Sequence, residues 1–188
     1  GNGESYGAEV FVKKNSGRMT GWVGYTLSWA NRTFENIDEG RAFPFKYDRR
    51  HDLETAVFYK LNSKIDISLT WSFGSGYPVS IPLEKYPNDQ GAHFNNSQGD
   101  EYIYYYPSRN NYRMRTFHRL DAMMSFSKKK KWGEREWVIG LYNAYNRNNP
   151  FYVAIENDYT GKKPGSDTRF VQYSLFPVIP SVSYNFKF

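Results

Sequence analysis

Pro180-Ser181-Val182-Ser183-Tyr184-Asn185-Phe186-Lys187-Phe188 decides how the rest of the chain is read. Val182, Tyr184, Phe186 and Phe188 fall on one side, and Ser181, Ser183, Asn185 and Lys187 on the other. Strict alternation is the period of a β-strand. An apolar row backed by small polar residues suits a strand standing between lipid and a watery lumen. The pattern returns upstream. Val23, Tyr25, Leu27 and Trp29 alternate with Gly24, Thr26, Ser28 and Ala30, and Ile65, Ile67, Leu69, Trp71 and Phe73 with Asp66, Ser68, Thr70 and Ser72. Leu53, Thr55, Val57, Tyr59 and Leu61 oppose Asp52, Glu54, Ala56, Phe58 and Lys60. Leu120, Ala122, Met124 and Phe126 oppose Arg119, Asp121, Met123, Ser125 and Ser127. A half-buried sheet in a soluble protein also alternates, so alternation by itself leaves the solvent on the apolar side open.

Composition narrows the choice. Hydrophobic residues are 39% of the 188, yet aromatics reach 19%, with 17 Tyr, 14 Phe and 5 Trp. Tyr and Trp are apolar at one end and wet at the other, and they collect where hydrocarbon meets water. A barrel averages an apolar and a polar face, so a low mean hydropathy is compatible with a membrane. No apolar run approaches the roughly 20 residues of a spanning helix. Gly1-Asn2-Gly3-Glu4-Ser5 has none of the features of a signal peptide; for an exported protein, that leader is expected upstream. Cysteine is absent, which removes thiolate and disulfide chemistry. The net charge of +6 is spread among acidic residues rather than gathered in a stripe, so nucleic acid is not an expected partner.

The connections are sorted by length. About seven segments carry strand character: 6–14, 18–34, 47–61, 64–77, 112–127, 134–146 and 168–188. Asn15-Ser16-Gly17, Asn62-Ser63 and Lys128–Gly133 are short turns, whereas 35–46, 79–111 and 147–167 are longer polar stretches. Outer-membrane barrels place short turns in the periplasm and long loops outside. These features together predict an all-β, antiparallel transmembrane β-barrel across residues 1–188 as one segment. Because an open sheet would leave unpaired edges in hydrocarbon, further strands are expected to complete it.

In order along the chain, several motifs resemble the late barrel of Bacteroidetes-type TonB-dependent receptors. They are Ser5-Tyr6-Gly7-Ala8-Glu9, Gly21-Trp22-Val23-Gly24-Tyr25-Thr26-Leu27-Ser28, Tyr47-Asp48-Arg49-Arg50-His51 and Gly76-Tyr77-Pro78-Val79. Arg109-Asn110-Asn111-Tyr112-Arg113-Met114, His118-Arg119-Leu120-Asp121, Leu141-Tyr142-Asn143-Ala144-Tyr145-Asn146 and Phe176-Pro177-Val178-Ile179-Pro180 follow. The resemblance implies a barrel of about 22 strands around a plug, of which this chain supplies the carboxyl-terminal part. It implies a bacterial outer-membrane receptor that imports a scarce or large nutrient of the iron-chelate, cobalamin or glycan class. Partners implied are membrane lipid, the remaining barrel and plug, TonB through that plug, the barrel-assembly machinery and a surface lipoprotein. Tyr184, Phe186 and Phe188 stand where the family carries its assembly signal. That placement puts Phe188 in the periplasm and the three long connections outside. No TonB box or plug matches these residues.

Candidate sites are few. His51, His93 and His118 lack metal-ligand spacing, and no nucleophile elbow or phosphate-cradling glycine loop occurs. Neither a metal, a cofactor nor an enzyme activity is expected. Lys128-Lys129-Lys130-Lys131-Trp132 reads as a solvated turn with an interfacial anchor. The long 79–111 connection holds Tyr86, Phe94, Tyr102, Tyr104, Tyr105 and Tyr106 among amides and carboxylates. Aromatic walls with a few polar groups suit a ligand site, and these six are the candidate contacts. Asn157, Asp158, Tyr159 and Asp167 are weaker ones. The competing reading is a soluble secreted β-sandwich that binds carbohydrate through this Tyr-rich loop, and a third is a subunit whose sheet is completed by other chains.

Overall fold

A computed structural model describes residues 1–87, 102–157 and 168–188. The described residues contain no α-helix, and every strand pair for which a register is defined is antiparallel. The strands are β1 (Asn2–Lys14), β2 (Met19–Thr33), β3 (Phe43–Pro44), β4 (His51–Lys60), β5 (Ile65–Gly74), β6 (Pro78–Val79) and β7 (Glu84–Pro87). They continue with β8 (Tyr102–Tyr105), β9 (Tyr112–Arg113), β10 (Phe117–Lys130), β11 (Gly133–Tyr142), β12 (Pro150–Asn157), β13 (Thr168–Ser174) and β14 (Ile179–Lys187). Two compact units divide them: residues 7–27, 50–76 and 115–188 form the sheet unit, and residues 1–6, 28–49 and 77–114 the loop unit.

In the sheet unit the strand order is β1-β2-β4-β5-β10-β11-β14. Each strand pairs with the next long strand in the chain, as a meander requires, and the path ends at β1 and at β14 without closing on itself. The connections at one end are residues 15–18, 61–64 and 131–132; those at the other are 34–50, 75–116 and 143–178. Local chemistry explains the tight end. Gly17 takes φ +96°, a left-handed conformation that glycine adopts without a Cβ clash. Asn62 accepts the amides of Lys64 and Ile65 at 2.8 and 3.0 Å through its own side chain, an Asx turn.

Directly paired residues share a face, so the registers reveal what each side of the sheet carries. Val23 pairs with Thr55, Thr55 with Trp71 and Trp71 with Leu120. Val57 pairs with Leu69, Leu69 with Ala122, Ala122 with Leu141 and Leu141 with Pro180. Tyr59, Ile67, Met124, Ile139 and Val182 make the next row, and Phe126, Trp137 and Tyr184 the one after. Every apolar row expected from the sequence therefore lands on one side. Asp52, Glu54, Asp66, Ser68, Ser125, Glu136, Ser183 and Asn185 occupy the other.

Within the sheet unit, the described residues leave both sides largely uncovered. Glycine and proline aside, Ala56 is the one apolar residue of the sheet unit that is buried among the described residues. Leu69 is 37% exposed and Val182 64%. A sandwich would bury such rows against a second layer about 10 Å away.

Several boundaries differ from the sequence reading: β1 begins at Asn2 rather than Tyr6, β4 at His51 rather than Tyr47 and β10 at Phe117 rather than Tyr112. Residues 168–188 form two strands rather than one, because the chain breaks at 175–178, where Phe176 takes φ +59°. β10 runs through Lys130, so the lysine run belongs to a strand and the turn shrinks to Lys131-Trp132. The long connections also hold their own hairpins, β12 with β13 and β7 with β8.

Candidate functional site

The motif blocks turn out to be fasteners. In the loop unit, Asp48 is 1% exposed. Its carboxylate accepts the Ala30 amide at 2.7 Å and meets the Arg113 guanidinium at 2.5 Å, while Arg113 also donates to the Asp48 carbonyl at 2.8 Å. A buried acid is tolerated only with such pairing. Arg49 lies over the Tyr77 ring, 4.7 Å from its centroid.

In the sheet unit Asn143 does the equivalent work. It is buried and takes φ +52°, which asparagine tolerates better than most residues. Its side chain donates to the carbonyls of Arg147 and Phe176 and accepts the Arg147 amide, tying residues 143–147 to the segment before β14. Asp121 accepts the Asn143 amide at 2.9 Å and pairs with Arg119, which donates to the Tyr142 hydroxyl at 2.7 Å. Asn149 accepts the His118 amide and donates to the His118 carbonyl, both at 2.9 Å, as a strand neighbour would.

The histidines are likewise engaged. The Nδ1 of His51 lies 2.8 Å from the Tyr25 hydroxyl, and that of His118 lies 2.7 Å from the Tyr145 hydroxyl. Trp71 donates to the same Tyr145 hydroxyl at 3.2 Å. These polar tips cluster on the apolar side of the sheet, at the end from which the long connections leave. At the opposite end Trp137 meets Tyr184, and Phe186 meets Trp132 and Phe188, with centroids 4.8, 5.5 and 5.3 Å apart. Two aromatic bands thus flank an aliphatic middle of Val57, Leu69, Ala122 and Ile139.

The expected tyrosine cluster is split. Tyr86 pairs with Ile103 and Glu84 with Tyr105 on one side of the β7–β8 hairpin, whereas Tyr104 opposes Lys85 on the other. Tyr86 donates to Glu84, and Tyr105 and Tyr106 are exposed. Tyr102 pairs through its backbone with Pro87; its side chain, Phe94, His93, Asp158, Tyr159 and Asp167 lie outside the described residues, as does the side chain of Asn157. The register therefore places Tyr86 and Tyr105 on one side of the hairpin and Tyr104 on the other.

A recess that the sequence reading missed lies elsewhere in the loop unit. Arg32, Phe34, Ile37, Phe43, Phe45, Lys46, Arg109 and Asn110 line a space of about 380 Å³. Pairing of Arg32 with Phe43 across β2 and β3 brings two of its walls together. Arg109 and Asn110 arrive from far along the chain, with no local spacing to announce them; the density of Phe and Lys/Arg within 32–46 is the signal that could have pointed here.

No protein-family model, no curated protein and no solved structure matches this chain.

Proposed function

We propose that the chain forms part of a β-barrel in a bacterial outer membrane, within a TonB-dependent receptor that imports a scarce or large nutrient. The observation that carries this reading is the uncovered apolar side of the sheet, aliphatic in its middle and aromatic at both ends. Lipid-facing surfaces of outer-membrane barrels have that composition. The sorted connections support it, as does the polar opposite side, suited to a hydrated lumen. In this reading further strands continue the sheet beyond β1 and β14, since hydrocarbon offers no partner for an open ladder. Tyr184, Phe186 and Phe188 would serve the assembly machinery, with Phe188 fully accessible at the strand's end. Energy coupling through TonB would reside in a plug, not in these strands. The secreted sandwich has less support, because it needs a covering layer on the apolar rows.

Brominated lipid tests the orientation. Trp71 and Trp137 lie on the apolar side and Trp22, paired with Ala56, on the polar one. Single-tryptophan variants of the barrel completed by its further strands, folded into vesicles with brominated acyl chains, should show strong quenching of Trp71 and Trp137 and weak quenching of Trp22. Equal quenching of all three, or none, overturns the assignment.

A further inference from the structure

The recess in the loop unit has an unusual combination of walls. Phe34, Phe43, Phe45 and Ile37 supply apolar surface, and Arg32, Lys46 and Arg109 supply three positive charges with no acid in the lining. The rings are organised: Phe34 stacks on buried Phe43 with centroids 6.2 Å apart. The Arg32 guanidinium lies 4.3 Å from the Phe45 centroid, and that of Arg109 lies 5.9 Å from Phe43. A guanidinium laid on a ring keeps its N–H edge available, and that planar fork matches the geometry of a carboxylate or phosphate. Arg32 uses one nitrogen on the Asn31 carbonyl at 3.0 Å, leaving its other donors. Among the described residues none of the three cations is in an ion pair.

The far wall is held independently of any ligand. The Asn110 side chain donates to the Pro44 carbonyl at 2.7 Å, its amide donates to the Ser80 hydroxyl at 2.9 Å, and the Arg109 amide donates to the Asp38 carboxylate at 2.6 Å. The Asp38 carboxylate is thus engaged with backbone rather than with a guanidinium. A rigid frame that gathers unneutralised cations over aromatic rings costs electrostatic repulsion when empty, and an anion would relieve it.

We propose that this recess binds a small anionic molecule with a flat apolar body. Its carboxylate or phosphate is held by Arg32, Arg109 and Lys46, and its body rests on Phe43 and Phe45. About 380 Å³ falls in the range of small-molecule pockets. The site depends on the loop unit alone and not on the membrane reading.

Calorimetric titration of the full chain with phenyl phosphate, benzoate, benzyl alcohol and inorganic phosphate tests it. The expected result is that phenyl phosphate, benzoate or both bind at least about tenfold more tightly than benzyl alcohol and inorganic phosphate, and less tightly as ionic strength rises. Which of the two aromatic anions wins tells phosphate from carboxylate. Arg32→Gln with Arg109→Gln should weaken that binding by about tenfold or more, and Lys64→Gln in a turn of the sheet unit should leave it unchanged. Should the double variant lose its β-sheet circular dichroism, Phe45→Leu decides instead, because it retains apolar volume and removes the ring, and is expected to weaken the aromatic anions but not inorganic phosphate. The proposal is overturned if neither aromatic anion binds, if benzyl alcohol or inorganic phosphate binds equally well, or if folded arginine and Phe45 variants keep wild-type affinity.

Discussion

Single residues carry the sidedness of the sheet. Leu69 stands between Val57 and Ala122 on the apolar side, whereas Ser68 stands between Phe58 and Met123 on the polar side. For a lipid-facing position, Leu69→Arg is expected to lower stability by roughly 2–4 kcal/mol, and Ser68→Arg by much less. Urea unfolding of the completed barrel from vesicles measures both, and equal losses would contradict the assignment. Tyr173 offers a pH readout in the β12–β13 hairpin. It donates to Glu156, and that hydrogen bond, followed by the charge of the carboxylate, raises the phenol above its ordinary 10.0. A raised folded-state value means that the bond's contribution is complete below pH 10.0 and fades as pH climbs through the folded-state value. Glu156→Gln should therefore let Tyr173 ionise at lower pH, read as the phenolate absorbance difference between otherwise identical chains with and without Tyr173→Phe. An unchanged midpoint would remove Glu156 as the cause.

At the level of elements, the strand faces were legible because alternation is a local property, and seven strands of the sheet follow it. Strand ends were less so. The break before β14 depends on Phe176 in a left-handed conformation and on the Asn143 side chain holding the Phe176 carbonyl, contacts between residues far apart in sequence. Counting aromatics in a loop likewise does not reveal that a hairpin sends Tyr86 and Tyr105 to one side and Tyr104 to the other. The recess was invisible because Arg109 reaches Phe43 only after folding. Glycine shows how an element can depend on one atom. Gly21 in β2 takes φ +154°, and a Cβ there would lie 2.1 Å from the Ala56 carbonyl oxygen of β4. Gly21→Ala should disrupt the β2–β4 ladder and cost ~1–3 kcal/mol. Gly24→Ala in the same strand, whose Cβ would sit 3.5 Å from the Phe11 ring, should be tolerated. Hydrogen exchange of the β4 amides distinguishes the two outcomes.

For the whole molecule, the decisive quantity is how little is buried. A soluble domain of this length ordinarily removes about two-thirds of its unfolded surface from water around a common core. Here the described stabilising contacts are instead ladders, ring pairs and side-chain fasteners, and in the proposed reading the wide apolar side meets hydrocarbon. β14 has a further consequence. Its nine residues carry a single charge, Lys187, and its outer N–H and C=O groups meet no strand among the described residues. Away from lipid and a neighbouring strand, such a rail is a template for copies of itself. Concentrated chains in plain buffer should zip into fibres that brighten thioflavin T. Ser183→Lys, a charge on the polar side, should slow that growth; equal growth would point to another seam. In the proposed barrel, assembly would then be a race in which this ribbon is claimed by a neighbouring strand before it meets its twin.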